Sequence, residues 1–178
     1  MARLEKITIR KAAESDLPSM IRIMDEALGN PTIDDKMEQR VELWLTRFNN
    51  KLQFIFYVAE ADDENLVGWC CGGPTMECHQ TVAHQIYDCE ITHIFIRQQY
   101  QHRGIGRELW KIVWNDILLR FHPKNFVVWS VDNEQAHRFY VSLGSVQAEK
   151  RKFGELFLTA FIWSALKPFE FTNFLIFI

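Results

Sequence analysis

Cys89-Glu90-Ile91-Thr92-His93-Ile94-Phe95-Ile96-Arg97-Gln98-Gln99-Tyr100-Gln101-His102-Arg103-Gly104-Ile105-Gly106-Arg107 is the stretch on which the fold turns. It reads as an apolar strand over 90–97, a short loop, and a glycine run that opens a helix. Glycine at 104 and 106 lets backbone N–H groups approach a ligand with no Cβ in the way. Those N–H groups sit at the positive end of the helix dipole. Strand, glycine turn and helix start together predict a cradle for a pyrophosphate, with Arg103 and Arg107 adding positive charge. A dinucleotide fingerprint requires a third glycine where Leu109 stands, and a G-x-x-x-x-G-K-[ST] loop is absent.

What remains is Q-x-x-G-x-G after an apolar strand, at Gln101, Gly104 and Gly106. This resembles the acyl-CoA loop of the GNAT family of N-acetyltransferases. A lone G-x-G is also an ordinary strand-to-helix turn, so two further elements carry the resemblance. Asn133-Glu134-Gln135-Ala136-His137-Arg138-Phe139-Tyr140-Val141-Ser142-Leu143-Gly144 is similar to the family's N-x-x-A-x-x-F-Y-x-x-L-G helix. Ile9-Arg10-Lys11-Ala12, followed by Asp16-Leu17, resembles its opening I-R-x-A-x-x-x-D-L. The three occur in family order and span residues 6 to about 163.

The resemblance implies a mixed α/β fold with a single central sheet, splayed in a V between the strands at 90–97 and 125–131 and flanked by helices. It implies acetyl-CoA as co-substrate in that gap. Pantetheine would run along Ile94, Phe95 and Ile96, extending the sheet through backbone groups. The diphosphate would rest on Gln101, His102, Arg103, Gly104, Ile105, Gly106 and Arg107. Asn133 would stand beside the pantetheine arm, and is equally a plain helix N-cap. Tyr140 matches the family's thiolate-protonating tyrosine; its ordinary role is a core tyrosine with a polar handle. Glu90 lies eleven residues before Gln101, the spacing of the general-base glutamate in histone-type members; many members use water chains instead. Alternation along the strand puts Glu90 on one face with Thr92, Ile94 and Ile96, the cofactor side, and His93 on the other.

The implied reaction is direct transfer of acetyl to an amine of a small molecule or peptide. An acyl-CoA-binding sensor without turnover and an aminoacyl-tRNA-modifying acetyltransferase are the alternatives. Both Glu90 and Tyr140 being present favours the enzyme. The resemblance implies that the segment between the first two helices borders the acceptor site; its Asp25, Glu26, Asp34, Asp35 and Glu38 read either as helix caps and solvated faces or as an acidic wall favouring a cationic acceptor.

Composition bounds the rest. The 178 residues suit one domain, 48% are hydrophobic, and the net charge is −3 with a pI near 6.1. That balance carries no footprint for nucleic acid. No apolar run spans a bilayer, and no secretory signal follows Met1-Ala2-Arg3-Leu4. Cys70, Cys71, Cys78 and Cys89 read as reduced thiols of a cytoplasmic protein. Cys71, Cys78, His79, His84 and Cys89 match no zinc spacing, and no metal is expected. None of the six histidines has a feature that singles it out for catalysis.

The expected elements are strands at 7–10, 54–60, 66–72, 90–97, 125–131, 145–150 and 156–163. Helices are expected from Ser15 or Glu14 to Leu28, then over 34–48, 105–121 and 133–143. Residues 75–87 read as loop. The domain is expected over 1–165. The tail 166–178 is very apolar and reads as an extra strand, a dimer contact or an aggregation-prone segment. Monomer and homodimer both stay open.

Overall fold

The stretch Leu66–Pro74 (β3) is buried along all but its last residue, which a strand achieves only where both faces of its sheet are covered. The computed structural model describes residues 6–49, 53–62, 65–163 and 165–170, and the backbone of 176–177. Before β3 come β1 (Lys6–Lys11), α1 (Leu17–Leu28), α2 (Met37–Phe48) and β2 (Ile55–Ala61). After it come β4 (Thr81–Val82), β5 (Gln85–Ile86), β6 (Cys89–Ile96), α3 (Ile105–Phe121), β7 (Phe126–Val131), α4 (Glu134–Ser142), β8 (Val146–Phe153), β9 (Leu156–Trp163) and β10 (Ile176–Phe177). The main sheet runs β10-β1-β2-β3-β6-β7-β9-β8, and β4-β5 form a separate small hairpin.

One face of the sheet carries α3, whose Leu109, Trp110, Val113, Trp114 and Ile117 are buried, and α4 through Tyr140. Trp110 stacks on Trp163 at 5.3 Å and Trp114 packs on Phe126 at 4.4 Å. The other face carries α1 and α2, whose Leu17, Ile21, Ile23 and Trp44 pack on Phe56, Val58 and Trp69. A third cluster, Val82, Tyr87, Val127, Trp129 and Ala160, lies on that same face beneath the β4-β5 hairpin.

Every neighbouring pair in the main sheet is antiparallel except β6-β7, which is parallel. It holds register only at Cys89↔Phe126 and Glu90↔Val127. Beyond that pair the strands part, which is the V expected from the sequence. The strand alternation expected for β6 does not hold. Cys71 faces His93, but Gly72 faces Ile91, so Thr92 is an extra residue in β6, a β-bulge. The bulge reverses the alternation past Thr92. Ile94 and Ile96 join Cys89 and Ile91 on the α3 face, while Phe95 joins the α1-α2 cluster and His93 stacks on Trp69 there. Glu90 therefore lies across the sheet from Ile94 and Ile96, on the face of His93. Gly72 is what admits the bulge, because a Cβ there would meet the Glu90 carbonyl oxygen and come within 2.9 Å of the Ile91 Cα.

Several boundaries shift for local reasons. Neither Ser15 nor Glu14 caps α1. A 3-10 turn over Glu14–Asp16 precedes it, and Asp16 Oδ2 accepts the Ala13 N–H at 2.7 Å while Arg10 clasps the same carboxylate at 2.7 and 3.0 Å. Arg10 holds the Asp16 carboxyl below its usual range against the opposing effect of burial. Likewise Asp34–Lys36 form a 3-10 turn before α2. The segment expected to be loop contains β4 and β5, whose turn residues Ala83 and His84 both have positive φ. The connection at 63–64 lies outside the described residues.

The tail is stitched to the body. Leu166 and Phe169 pack on the main core, and the Trp114 indole N–H donates to the Lys167 carbonyl at 3.0 Å. Asn115 makes two bonds with the Phe169 backbone, at 2.8 and 2.9 Å. β10 pairs antiparallel with β1, Lys6 opposite Phe177; residues 171–175 and 178 lie outside the described set. Asn115→Ala strips partners from one half-buried N–H and one carbonyl. It is expected to destabilise the fold by about 1–2 kcal/mol, read from the midpoint of urea unfolding at unchanged slope.

Candidate active site

Where β6 and β7 separate, a cleft of about 820 Å³ opens on the α3 face. Its floor is β6 through Ile94, Phe95 and Ile96, and one end is the turn into α3. The far wall is Ser130 and Val131 of β7 with Asn133, Ala136, Phe139 and Tyr140 at the start and middle of α4. Ala27 and Leu28 of α1 close the rim.

The turn into α3 leaves several backbone N–H groups open to the cleft. Gly104 has φ +84°, a conformation that suits glycine, and it starts α3 without any side-chain cap. Glu108 N–H to Gly104 C=O, 3.2 Å, is the first bond of the helix. The N–H groups of Ile105, Gly106 and Arg107 therefore have no intrahelical carbonyl to bond, and all three residues line the cleft. His102 also has positive φ, at 60°. Gln101 donates to the Ile96 carbonyl at 3.0 Å, which ties the loop back to β6. Arg107 is held by Ser142 of α4, at 2.8 Å to its hydroxyl. Three unpaired helix-start N–H groups facing a cleft are the kind of set that could hold an anionic group such as a diphosphate.

Of the residues singled out in the sequence, Ile94, Phe95, Ile96, Gln101, His102, Gly104, Ile105, Gly106, Arg107, Asn133 and Tyr140 all line this one cleft. Arg103 does not; its guanidinium lies over the Tyr100 ring at 5.1 Å. Asn133 Oδ1 accepts the Ala136 N–H at 2.8 Å, so it caps α4 as well as facing the cleft. Glu90 is fully buried and is not among the cleft residues. Its Oε1 accepts the Met76 N–H and its Oε2 meets His79 Nδ1, both at 2.7 Å.

Tyr140 is buried among Trp110, Phe139 and Phe161. Burial pushes its phenol well above the usual value; a hydrogen bond with Ser130 opposes this and the buried Cys70 thiol adds to it. The Tyr140 hydroxyl is thus a neutral donor at the cleft wall. Ser130 was not anticipated, although it is the one hydroxyl in the apolar run Phe126–Val131. Phe139, Arg138 and the end of α1 were missed as well, since only the packing of α4 and α1 brings them to the rim.

The opposite face is different in character. Cys71 Sγ lies 3.2 Å from Thr92 Oγ1 and 3.6 Å from His93 Nδ1. Burial pushes the Cys71 and Cys89 thiols up to about 12, and Cys70 is raised too, so these three are inert thiols. The acidic residues between α1 and α2 are largely spoken for. Asp25 is clasped by Arg40 at 2.6 Å through both oxygens, Glu26 by Arg97 at 2.6 Å, and Asp34 by Arg22 at 3.0 Å. The expected acidic wall is thus mostly neutralised.

A sequence model of the acetyltransferase (GNAT) family matches residues 17–144, from the start of α1 to the turn after α4. The chain belongs to the GNAT family. Solved structures share the fold. An N-acetyltransferase from Staphylococcus aureus Mu50 superposes with TM-score 0.67 at 17% identity, covering 88% of this chain and 97% of that one. YncA from Salmonella typhimurium, assigned as an acetyltransferase and solved with its cofactor acetyl-CoA, gives 0.65 at 20%, covering 91% and 97%. Spermidine/spermine N-acetyltransferase SpeG from Vibrio cholerae gives 0.63 at 14%, covering 89% and 92%. No curated protein matches the chain. Among the described residues of this GNAT protein, no helix is long and apolar enough to cross a membrane.

Two measurements follow from the geometry. A Cβ on Gly106 would sit at ordinary contact distance from Ile96, Ile94 and Phe139, 3.6–3.9 Å, all of them cleft residues. Gly106→Ala should therefore leave the fold intact, and gain up to about 1 kcal/mol of helix propensity, while lowering acetyl-CoA affinity about tenfold or more by calorimetry. Burial, with Arg47 and His79 nearby, pushes His93 down to about 4. Unfolded histidine titrates near 6.5. The contribution of neutral His93 is whole above that value and is lost as pH falls towards 4, about 3 kcal/mol in all. His93→Phe should show a correspondingly flatter fall in unfolding free energy over that window.

Proposed function

We propose that this GNAT protein moves an acetyl group from acetyl-CoA to the primary amine of a small molecule or peptide by direct attack. The observation that carries this reading is the opening beyond the Glu90↔Val127 pair. The turn into α3, with its open N–H groups, lies at one end of the cleft that starts there, and a neutral phenol stands in its wall. The diphosphate would rest on the N–H groups at 105–107, and the pantetheine amides would pair with the unpartnered edge of β6. The thioester would then reach the opening between the strands, where an amine can approach from the other face.

Tyr140 would protonate the departing thiolate. A phenol raised by burial is a weak acid, and a thiolate in water is less basic still. Inside the same apolar cleft the thiolate is desolvated too, which raises its own proton affinity and brings the pair closer together. Ser130, hydrogen-bonded to the phenol, holds the hydroxyl in place.

The acceptor need not be a polycation. With Asp25, Glu26 and Asp34 each paired to an arginine, long-range steering by that segment is weak. Release of free CoA is measured against spermidine, an aminoglycoside, a neutral amino acid and a peptide N-terminus, at low and high salt. Turnover with at least one amine, without a salt-dependent preference for spermidine, is the expected outcome. Tight acetyl-CoA binding with no turnover on any amine would instead favour the sensor. Tyr140→Phe should lower kcat by roughly ten- to a thousandfold at nearly unchanged acetyl-CoA affinity; a near-normal kcat would return Tyr140 to a packing role.

A further inference from the structure

Glu90 has both carboxylate oxygens occupied and no exposed surface, so it cannot itself meet an incoming amine. Its partner can. The His79 side chain is 17% exposed. It precedes the β4-β5 hairpin, and its carbonyl accepts the Trp129 indole N–H at 3.1 Å. Its ring stands edge-on to Phe153 at 5.7 Å. Glu90 belongs to β6 and Trp129 to β7, the two strands whose pairing ends at Glu90↔Val127. His79 thus bridges the opening between them. It does so on the face away from α3, since Trp129 belongs to the cluster under the hairpin. Tyr140 and Ser130 lie on the α3 face of the same opening.

Resting on the acetyl-transfer reading, we infer that His79 is the catalytic base that takes the proton of the attacking amine, and that Glu90 positions it. A carboxylate facing Nδ1 fixes the proton on that nitrogen and leaves the lone pair on Nε2. This is the orienting role a buried acid plays towards a catalytic imidazole. Glu90 is itself fixed by the Met76 N–H, so the imidazole is anchored at two removes from the backbone. In the step, the amine nitrogen bonds to the thioester carbonyl carbon and gives one proton to His79 Nε2. The carbon–sulfur bond breaks, and the thiolate takes the Tyr140 proton. Imidazolium and phenolate are restored by exchange with water, so amine and thioester become amide and thiol with no other reactant. The two proton transfers occur on opposite faces of the sheet. Among the described residues, the charged or titratable groups near the His79 ring are Glu90 and His93 on β6 and, beyond Phe153 and Trp129, Arg151 on β8 with its partner Glu149.

The test uses the full chain with an amine that the wild type acetylates. His79→Gln keeps an N–H for Glu90 but has no basic nitrogen. It should lower kcat/KM by a hundred- to a thousandfold, within the range for general-base catalysis. It should also erase one acidic limb of the pH profile, with acetyl-CoA affinity by calorimetry unchanged. His79→Ala should regain activity with added imidazole. Glu90→Gln should move the His79 ring proton from Nδ1 towards Nε2 in nitrogen-15 spectra, a change that simple packing would not produce. A His79→Gln enzyme within threefold of wild type that keeps both limbs would overturn the assignment alone. Failure of the wild type to acetylate any amine would overturn the acetyltransferase reading, and this one with it. Wild-type spectra are a check that needs no variant to fold: a resting imidazole with its proton on Nε2 would also overturn the assignment.

Discussion

One extra residue in β6 organises the molecule. With Thr92 unpaired opposite Gly72, the strand turns over, and the residues before and after it face opposite sides. Without that bulge, Glu90 would share the α3 face with the cleft, and Ile94 and Ile96 would keep their company with it. The close backbone approach at Gly72 leaves no room for a side chain. The two-residue contact between β6 and β7 lies immediately before the bulge, so turnover of the strand and opening of the sheet occur at one place.

The sheet thereby separates two environments a few residues apart. On the α3 face stand apolar walls, helix-start N–H groups and a phenol kept neutral by burial. On the other face stand a buried carboxylate, an imidazole bonded to it and a second imidazole held neutral among Trp44, Trp69 and Phe95. Under the proposed chemistry this division is useful: the group that removes a proton and the group that supplies one never meet, so they cannot neutralise each other directly.

Charge pairing and the tail make the frame that keeps this arrangement still. Arg40 on α2 binds Asp25 on α1, and Arg97 at the end of β6 binds Glu26 on α1. Both pairs fasten α1 beside the cleft rim rather than leaving acids free to attract a ligand. Across the sheet, Lys167 and Phe169 are tied to Trp114 and Asn115 of α3, the helix whose first turn faces the cleft. The elements around the cleft are thus held in place by contacts between residues distant in sequence.

By itself the sequence determined the elements whose signals are local. The glycine run at 101–106, the helix from Asn133 to Gly144 and the apolar strands were legible because turn chemistry, helix capping and periodicity act over a few residues; the splay of the sheet and the acyl-CoA loop came from the resemblance of those motifs to the GNAT family. The same resemblance singled out Glu90 and Tyr140. Only the tertiary structure decided which way they point. Alternation is a rule for an unbroken strand, and the bulge that breaks it arises from contact between β6 and Gly72 of β3, twenty residues away. The partners Ser130 for Tyr140 and His79 for Glu90 were hidden for the same reason, as were the arginines that bind Asp25, Glu26 and Asp34. Each is a meeting of side chains from separate elements, set by how the sheet is ordered and covered rather than by any neighbouring residue.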